Sequence, residues 1–166
     1  LDPSSAEAHW GLSFVHLLAG DLASGWTEYS WRWKLDTVPD ARVFTSARWD
    51  GRIVPGMTLL LVCEQGLGDA LQFIRYASLL AERGIRVWVE SPAELVRLFA
   101  CVHDIERVIT RGSVIPPHDV HCPLLDIPRM LGTTLASVPS RVPYSHLPEE
   151  DGRVWDARIA TDPPGL

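Results

Sequence analysis

Thr58-Leu59-Leu60-Leu61-Val62-Cys63, followed at once by Glu64-Gln65-Gly66-Leu67-Gly68-Asp69, is the stretch that decides the fold. Its first half is an unbroken apolar run without alternation, the pattern of a strand covered on both faces in a parallel sheet. Its second half is a glycine-bearing loop, and a helix is predicted from Asp69 to Arg83, with Ala70, Phe73, Ile74, Ala77, Leu80 and Ala81 as its buried stripe and Gly84 as its stop. Gln72, Arg75 and Tyr76 then fall on the face turned away from that stripe. Ile85 to Glu90 reads as a second strand. Ser91-Pro92-Ala93-Glu94 has the form of a capping box with proline at the first helical position, opening a helix to about Cys101. Arg107 to Thr110 and Asp119 to Cys122 supply a third and a fourth strand. The order β-α-β-α-β predicts a doubly wound, Rossmann-like parallel sheet over residues 58–160.

Upstream, residues 1–35 read as a helical hairpin. Ser4-Ser5-Ala6-Glu7 is a capping-box sequence in which Ser4 is expected to accept from the Glu7 amide, and Trp10, Phe14 and Leu17 or Leu18 recur at helical spacing as far as about Ala19. Gly20 suits the left-handed turn, and Asp21 caps a second helix. Leu22, Trp26, Tyr29 and Trp33 form one aromatic stripe that must bury against a partner. Residues 36–57, interrupted by Pro39, Gly51, Pro55 and Gly56, read as a connecting segment lying over the junction of the two units and pinned by Trp49.

The chain has 166 residues, 46% of them hydrophobic and 22% charged, enough apolar surface to fold and enough length for one domain with an appendage. Its net charge of -6, from 15 basic and 21 acidic residues, excludes the broad positive surface that phosphate neutralisation needs, so nucleic acid is not an expected partner. No apolar run is long enough to span a bilayer. The three cysteines are widely spaced with no Cys-x-x-Cys, which suits reduced thiols and a cytoplasmic location. The chain opens on Leu1 and closes on Asp162-Pro163-Pro164-Gly165; residues 161–166 read as a linker, and the whole as a piece of something longer.

In an open α/β sheet, ligands sit beyond the carboxyl ends of the strands. The candidate ligand loop is therefore Gln65, Gly66, Leu67 and Gly68, where two missing side chains let a ligand approach the backbone and where Asp69 brings a carboxylate to the start of the helix. A tight turn with a helix-capping aspartate accounts for the same residues. The loop is no dinucleotide fingerprint, because the third small residue such a site needs is replaced by Leu71, and Glu90 is a weak ribose contact. Arg75, within two turns of the helix start, suits a phosphate or a sugar acid, and a solvated helix face accounts for the same residue. Asp119 and His121, read as lying at the end of a central strand, are candidates for a cleft wall, and two polar residues at a sheet rim account for the same pair.

The stretch Glu64-Gln65-Gly66-Leu67-Gly68-Asp69-Ala70-Leu71-Gln72-Phe73-Ile74-Arg75-Tyr76, with Arg48-Trp49-Asp50-Gly51 before it and Asp119-Val120-His121-Cys122-Pro123-Leu124-Leu125 after it, resembles bacterial tetratricopeptide-repeat proteins that carry a glycosyltransferase-like domain. These are related to heptosyltransferases and, more distantly, to O-linked N-acetylglucosamine transferases. The hairpin resembles one tetratricopeptide repeat through Leu12, Gly20 and Tyr29, although Ser13 stands where a glycine is usual and Gly25 where an alanine is usual. The resemblance implies the N-terminal, acceptor-side half of a GT-B fold, with a donor domain elsewhere holding a nucleotide sugar. It implies Asp69 as catalytic base toward an acceptor hydroxyl on a glycan or protein, with Gly66 and Gly68 as the loop. It implies no metal and no cofactor in this chain, no turnover by the chain alone, and a protein partner for the repeat. The alternative is a non-catalytic protein-interaction module fused to an α/β domain.

Three other features invite a functional reading. His118, Asp119, His121 and Cys122 contain metal-binding groups, but strand alternation sends His118 and Cys122 to one face and Asp119 and His121 to the other, so no metal site is expected. Trp26, Trp31 and Trp33 at helical spacing are expected to pack rather than to stack on sugar rings. Cys63 closes a buried strand and lacks an activating histidine.

Overall fold

A computed structural model describes residues 2–37, 42–146 and 148–161. Pro39 and the 162–166 part of the expected linker lie outside them. The first helix, α1 (Ala6–Leu18), is capped by Ser5, whose hydroxyl accepts from the Ala8 amide; the cap is one residue later than expected because Ser4 instead bonds back to Asp2. Gly20 takes φ +80°, and Asp21 accepts from the Ser24 amide to start α2 (Leu22–Tyr29). A 3-10 turn, Ser30–Lys34, continues it. The two helices pack antiparallel at close range: a Cβ on Gly25 would lie 2.7 Å from the Leu17 side chain, and Ser13 opposite is fully buried. The aromatic stripe turns toward the α/β unit as its spacing requires, and Trp26 meets Phe73 edge-on at 5.4 Å.

The sheet has five parallel strands, β1 (Ala47–Arg48), β2 (Thr58–Val62), β3 (Arg86–Ser91), β4 (Ile105–Thr110) and β5 (Val120–Pro123), in the order β1-β5-β2-β3-β4. Every residue of β2 is buried, which is what its unbroken apolar run demanded. Two-residue β1, exposed on both residues, lies within the expected connecting segment and carries no pattern that would have exposed it. Trp49 follows it, 2% exposed, its indole donating to the Arg52 carbonyl at 2.9 Å.

The expected single helix over 69–83 is two, α3 (Leu67–Phe73) and α4 (Tyr76–Ala81). Between them Ala77 bonds to the Ile74 carbonyl, a three-residue 3-10 step that rotates the stripe. That rotation buries Tyr76, expected on the outer face. Ser91 does not cap α5 (Ala93–Phe99): its hydroxyl donates to the Pro92 carbonyl, and Pro92 occupies the cap position. A short α6 (Ile127–Met130) follows β5, and α7 (Glu149–Ile159) buries no residue.

The winding is one-sided among the described residues. Leu59, Leu61, Val87, Val89 and Cys122 face α3, α4 and α5 in the main core. Leu60, Val62, Trp88 and Ile109 face the other way, where Phe44 and Ile115 from irregular segments pack on them. The chain therefore steps outward from β2 through β3 to β4 by helical crossovers and returns to the far side of β2 by the segment carrying Ile115. No helix of the described residues is long and apolar enough to cross a membrane.

The same packing settles the thiols. Burial pushes Cys63 up to about 12 and Cys122 well above its ordinary value, and both are fully buried. Only Cys101 is partly exposed. With native protein at pH 8, Ellman's reagent is expected to titrate one thiol quickly and all three only after denaturation; two or more fast thiols would contradict this core.

Candidate functional site

The reversal of strand order at β2, with β3 on one side and β5 on the other, makes a switch point, and the crevice beyond its carboxyl end is where α/β sheets bind ligands. Two chain segments leave the sheet there: the loop from Cys63 to Gly66, running into the first turn of α3 with Asp69, and the turn Leu124–Asp126 after β5. Glu64 belongs to the first. Its carboxylate turns inward and accepts from the Leu124 amide at 3.0 Å and the Leu125 amide at 3.2 Å, tying the two segments together.

Arg32, from the 3-10 turn of the hairpin, enters the same place. Its Nη2 donates to Glu64 Oε1 at 3.0 Å and lies 2.8 Å from Asp126 Oδ1. All three side chains are 2% exposed. Arg48, following from β1, pairs with the other Asp126 oxygen. Two guanidinium groups lie against the Trp33 ring, that of Arg32 at 4.5 Å and that of Arg48 at 4.3 Å from its centre, and its indole donates to Asp126 at 3.3 Å. Burial pushes the Glu64 carboxyl above the usual carboxylate range, while the Arg32 charge and the Leu125 amide pull it back. The crevice under the loop is thus filled by a buried ion network that joins the hairpin to the sheet. Sequence reading missed it, since its four members lie at positions 32, 48, 64 and 126 with no common spacing; the one available signal was an Arg flanked by two tryptophans in a stripe that had to be buried.

The loop itself stays open above this network. Gly66, Leu67 and Gly68 are exposed, Gln65 is half-buried, and a Cβ on Gly68 would meet nothing within 4 Å. Asp69 is half-buried, and its Oδ2 accepts from the Gly66 amide at 3.1 Å. Among the described residues nothing donates to Oδ1, so one carboxylate oxygen is held and the other is unengaged. Asp69 is near enough to Tyr29 to push that phenol's pKa upward, behind burial and alongside Glu64 and Asp126, while Arg32 opposes them.

The remaining sequence candidates separate. Gln72 and Arg75 lie further along α3 and just past its end, away from the loop. Asp119 is at the opposite end of the sheet, where its carboxylate accepts from the Thr58 amide at 2.7 Å. His121, midway along β5, stacks on Phe44 at 4.5 Å on the face away from the helices, and burial pushes its pKa down. Its Nδ1 lies 3.0 Å from Ser46 Oγ, and His118 Nε2 lies 2.7 Å from the same oxygen. Both imidazoles thus meet at one hydroxyl, because His118 precedes the strand and escapes its alternation, while Cys122 points into the main core as expected. Among the described residues no three His, Cys, Asp or Glu side chains cluster as metal ligands. Glu90 is buried and paired with Arg42, so its carboxylate faces a cation of its own chain. Trp26 packs as expected; Trp31 stacks on His9 at 3.7 Å.

Compared with protein-family models, with curated proteins and with solved structures, the chain matches none.

Proposed function

We propose that this chain is the acceptor-side part of a GT-B glycosyltransferase carrying a tetratricopeptide-like hairpin, with Asp69 as the general base that takes the proton of an acceptor hydroxyl as it attacks the anomeric carbon of a nucleotide sugar. The reading rests on the resemblance of residues 64–76 and on one observation: Asp69 presents a free carboxylate oxygen beside the glycines Gly66 and Gly68 at the switch point of a parallel sheet. The held oxygen fixes the carboxylate's direction, and the unengaged one is left for the hydroxyl. Gly66, Leu67, Gly68 and Gln65 would then bring backbone and amide groups to the acceptor. The repeat-like character of the hairpin draws support from the tight contact at Ser13 and Gly25, positions at which a repeat uses small residues.

Asp69→Asn, introduced in the natural gene, is expected to lower transfer from labelled nucleotide sugars at least about a hundredfold while preserving the fold and acceptor binding. Undiminished transfer removes Asp69 from the chemistry. On the same reading residues 1–166 alone turn over no donor, and measured transfer by that polypeptide would place both substrate sites on this single sheet.

The non-catalytic interaction module has its own supporting observation. On α1, Trp10, Leu12, Phe14, Val15 and Leu18 are all exposed, Leu18 at 88%. An apolar helix face of this kind is a surface for protein contact. Asp69→Asn leaves such binding intact, so the same variant separates the two readings.

A further inference from the structure

Between the hairpin and the α/β unit lies a cavity of 180 Å³ that no part of the transfer reading uses. Trp26, Phe73 and Tyr76 wall it, with Trp26 edge-on to Phe73 at 5.4 Å and Phe73 stacked on Tyr76 at 6.2 Å. Gln72 and Thr133 are its polar lining, and the Thr133 hydroxyl already accepts from Tyr76 at 3.1 Å, which leaves its own proton to donate. Arg75 lines this cavity and also a neighbouring one of 260 Å³.

Arg75 is the unusual member. Its guanidinium sits 4.6 Å over the Tyr144 ring, its Nε is buried with no hydrogen-bond partner, and among the described residues it has no carboxylate partner. Arg32, fully buried and likewise with an unpartnered Nε, is neutralised by two carboxylates, whereas Arg75, half-buried as a residue, is neutralised by none among the described residues. Stacking on a ring face holds a guanidinium in place but satisfies none of its N–H groups, and a buried donor without an acceptor is costly. The one acid of the adjoining cavity, Glu82, is exposed and forms no ion pair with it. A fixed, unneutralised cation beside an aromatic-walled void is the complement of a ring bearing a negative charge.

The geometry points to a binding site for a small aromatic carboxylate, its ring against the wall that Trp26, Phe73 and Tyr76 form and its carboxylate on Arg75. The volume suits one six-membered ring, since a cavity of about 150 Å³ in another protein holds benzene. The walls favour an aromatic ring over a sugar, because beside the aromatic rings the lining is Leu22, Val138 and Pro139, and a pyranose would lay its hydroxyls against these apolar groups. One cation with Glu82 nearby favours a monoanion over a phosphate dianion. The site bridges α2, α3 and α4, so its ligand touches both units at once. It does not depend on the transfer reading.

Benzoate is the probe, titrated into the full chain and followed by tryptophan fluorescence and by amide and arginine Nε–H resonances. Saturable binding is expected with a Kd on the order of 1 mM, with shifts at Trp26, Gln72, Thr133 and the Arg75 Nε–H. Benzamide, the uncharged isostere, is expected to bind at least about tenfold more weakly to the unaltered protein, since a hydrogen bond to a charged group is worth at least that factor. Arg75→Met, which keeps the length of the side chain, is expected to weaken benzoate by a similar factor and to leave benzamide unchanged. Equal binding of benzoate and benzamide, shifts confined to other residues, or no saturation by about ten times that Kd overturns the proposal. Glucuronate binding in preference to benzoate overturns the aromatic assignment.

Discussion

Arg32→Met is expected to cost about 3–5 kcal/mol of folding stability near neutral pH, measured by urea unfolding, because it leaves Glu64 with no cation among the described residues and Asp126 with Arg48 alone, in a place closed to water. A domain of this size is stable by only about 5–15 kcal/mol, so the variant falls near the edge of folding. The size of the loss comes from what remains after the change. Glu64 and Asp126 stay 2% exposed, and the two amides bonded to Glu64 cannot replace a full charge. Arg32→Lys is expected to lose less, since an ammonium keeps the charge but gives up the Nη1 bond to the Tyr29 carbonyl and the flat stacking over the Tyr29 and Trp33 rings. Changing all three groups to neutral partners, Arg32→Met with Glu64→Gln and Asp126→Asn, is expected to recover much of the loss, because the cost lies in unpaired charge rather than in the absence of a pair.

The pH dependence has a definite sign. Burial holds the Glu64 carboxyl above its ordinary range even with Arg32 beside it, and removing Arg32 takes away the strongest opposing influence. A carboxylate whose folded pKa lies above its unfolded value favours folding below the unfolded value, about 4.3, and that contribution is lost as pH rises through the folded one. Arg32→Met is therefore expected to regain stability relative to the unaltered protein as pH falls from 7.5 toward 5. A pH-independent loss smaller than about 1 kcal/mol, the worth of an exposed pair, would show that the network is not buried as described.

Trp49→Ala carries the second large effect, about 3–5 kcal/mol by the same measurement. Trp49 is the largest of the fully buried side chains, and its removal leaves a void and orphans the Arg52 carbonyl that its indole serves. Trp49→Phe is expected to fall between, keeping most of the ring contact but not the hydrogen bond, at about 1–3 kcal/mol. The damage reaches the site as well. The Trp49 amide bonds to the His121 carbonyl at 2.8 Å, holding β1 on the sheet edge, and Arg48 extends from β1 to Asp126. A Trp49→Ala protein that keeps its full stability would mean the neighbouring chain can collapse into the void, which such packing densities do not allow.

What was legible in the sequence followed from local pattern. The apolar run of β2, the helix breaks at Gly20 and Gly84, the cap at Asp21 and the inward stripe of α2 are each fixed by neighbours a few residues away, and the structure has them. Strand β1 has two exposed residues and exists only because β5 offers it an edge. The division of α3 from α4 turns on a single hydrogen-bond step that composition does not encode. The one-sided winding escaped notice because a strand buried by helices and one buried by loops read alike. At the site, Asp69 and its glycines are contiguous and so were visible, whereas Arg32, Arg48, Glu64 and Asp126 are brought together only by tertiary folding. Asp119 and His121 are neighbours in sequence whose positions along the strand, not their chemistry, separate them from the loop.

The Arg32 network has a mechanical consequence. A helical hairpin tied to a sheet by apolar contact alone can slide or swing, because such contact has no preferred direction. Here any rotation of α2 away from β2 must draw a guanidinium off two acids at once, and the penalty rises from the first ångström of travel. The hairpin and the sheet's carboxyl edge therefore carry load as one lever, whose pivot is Arg32 itself, and a pull on α1 arrives at the backbone of Glu64 and the loop that follows it.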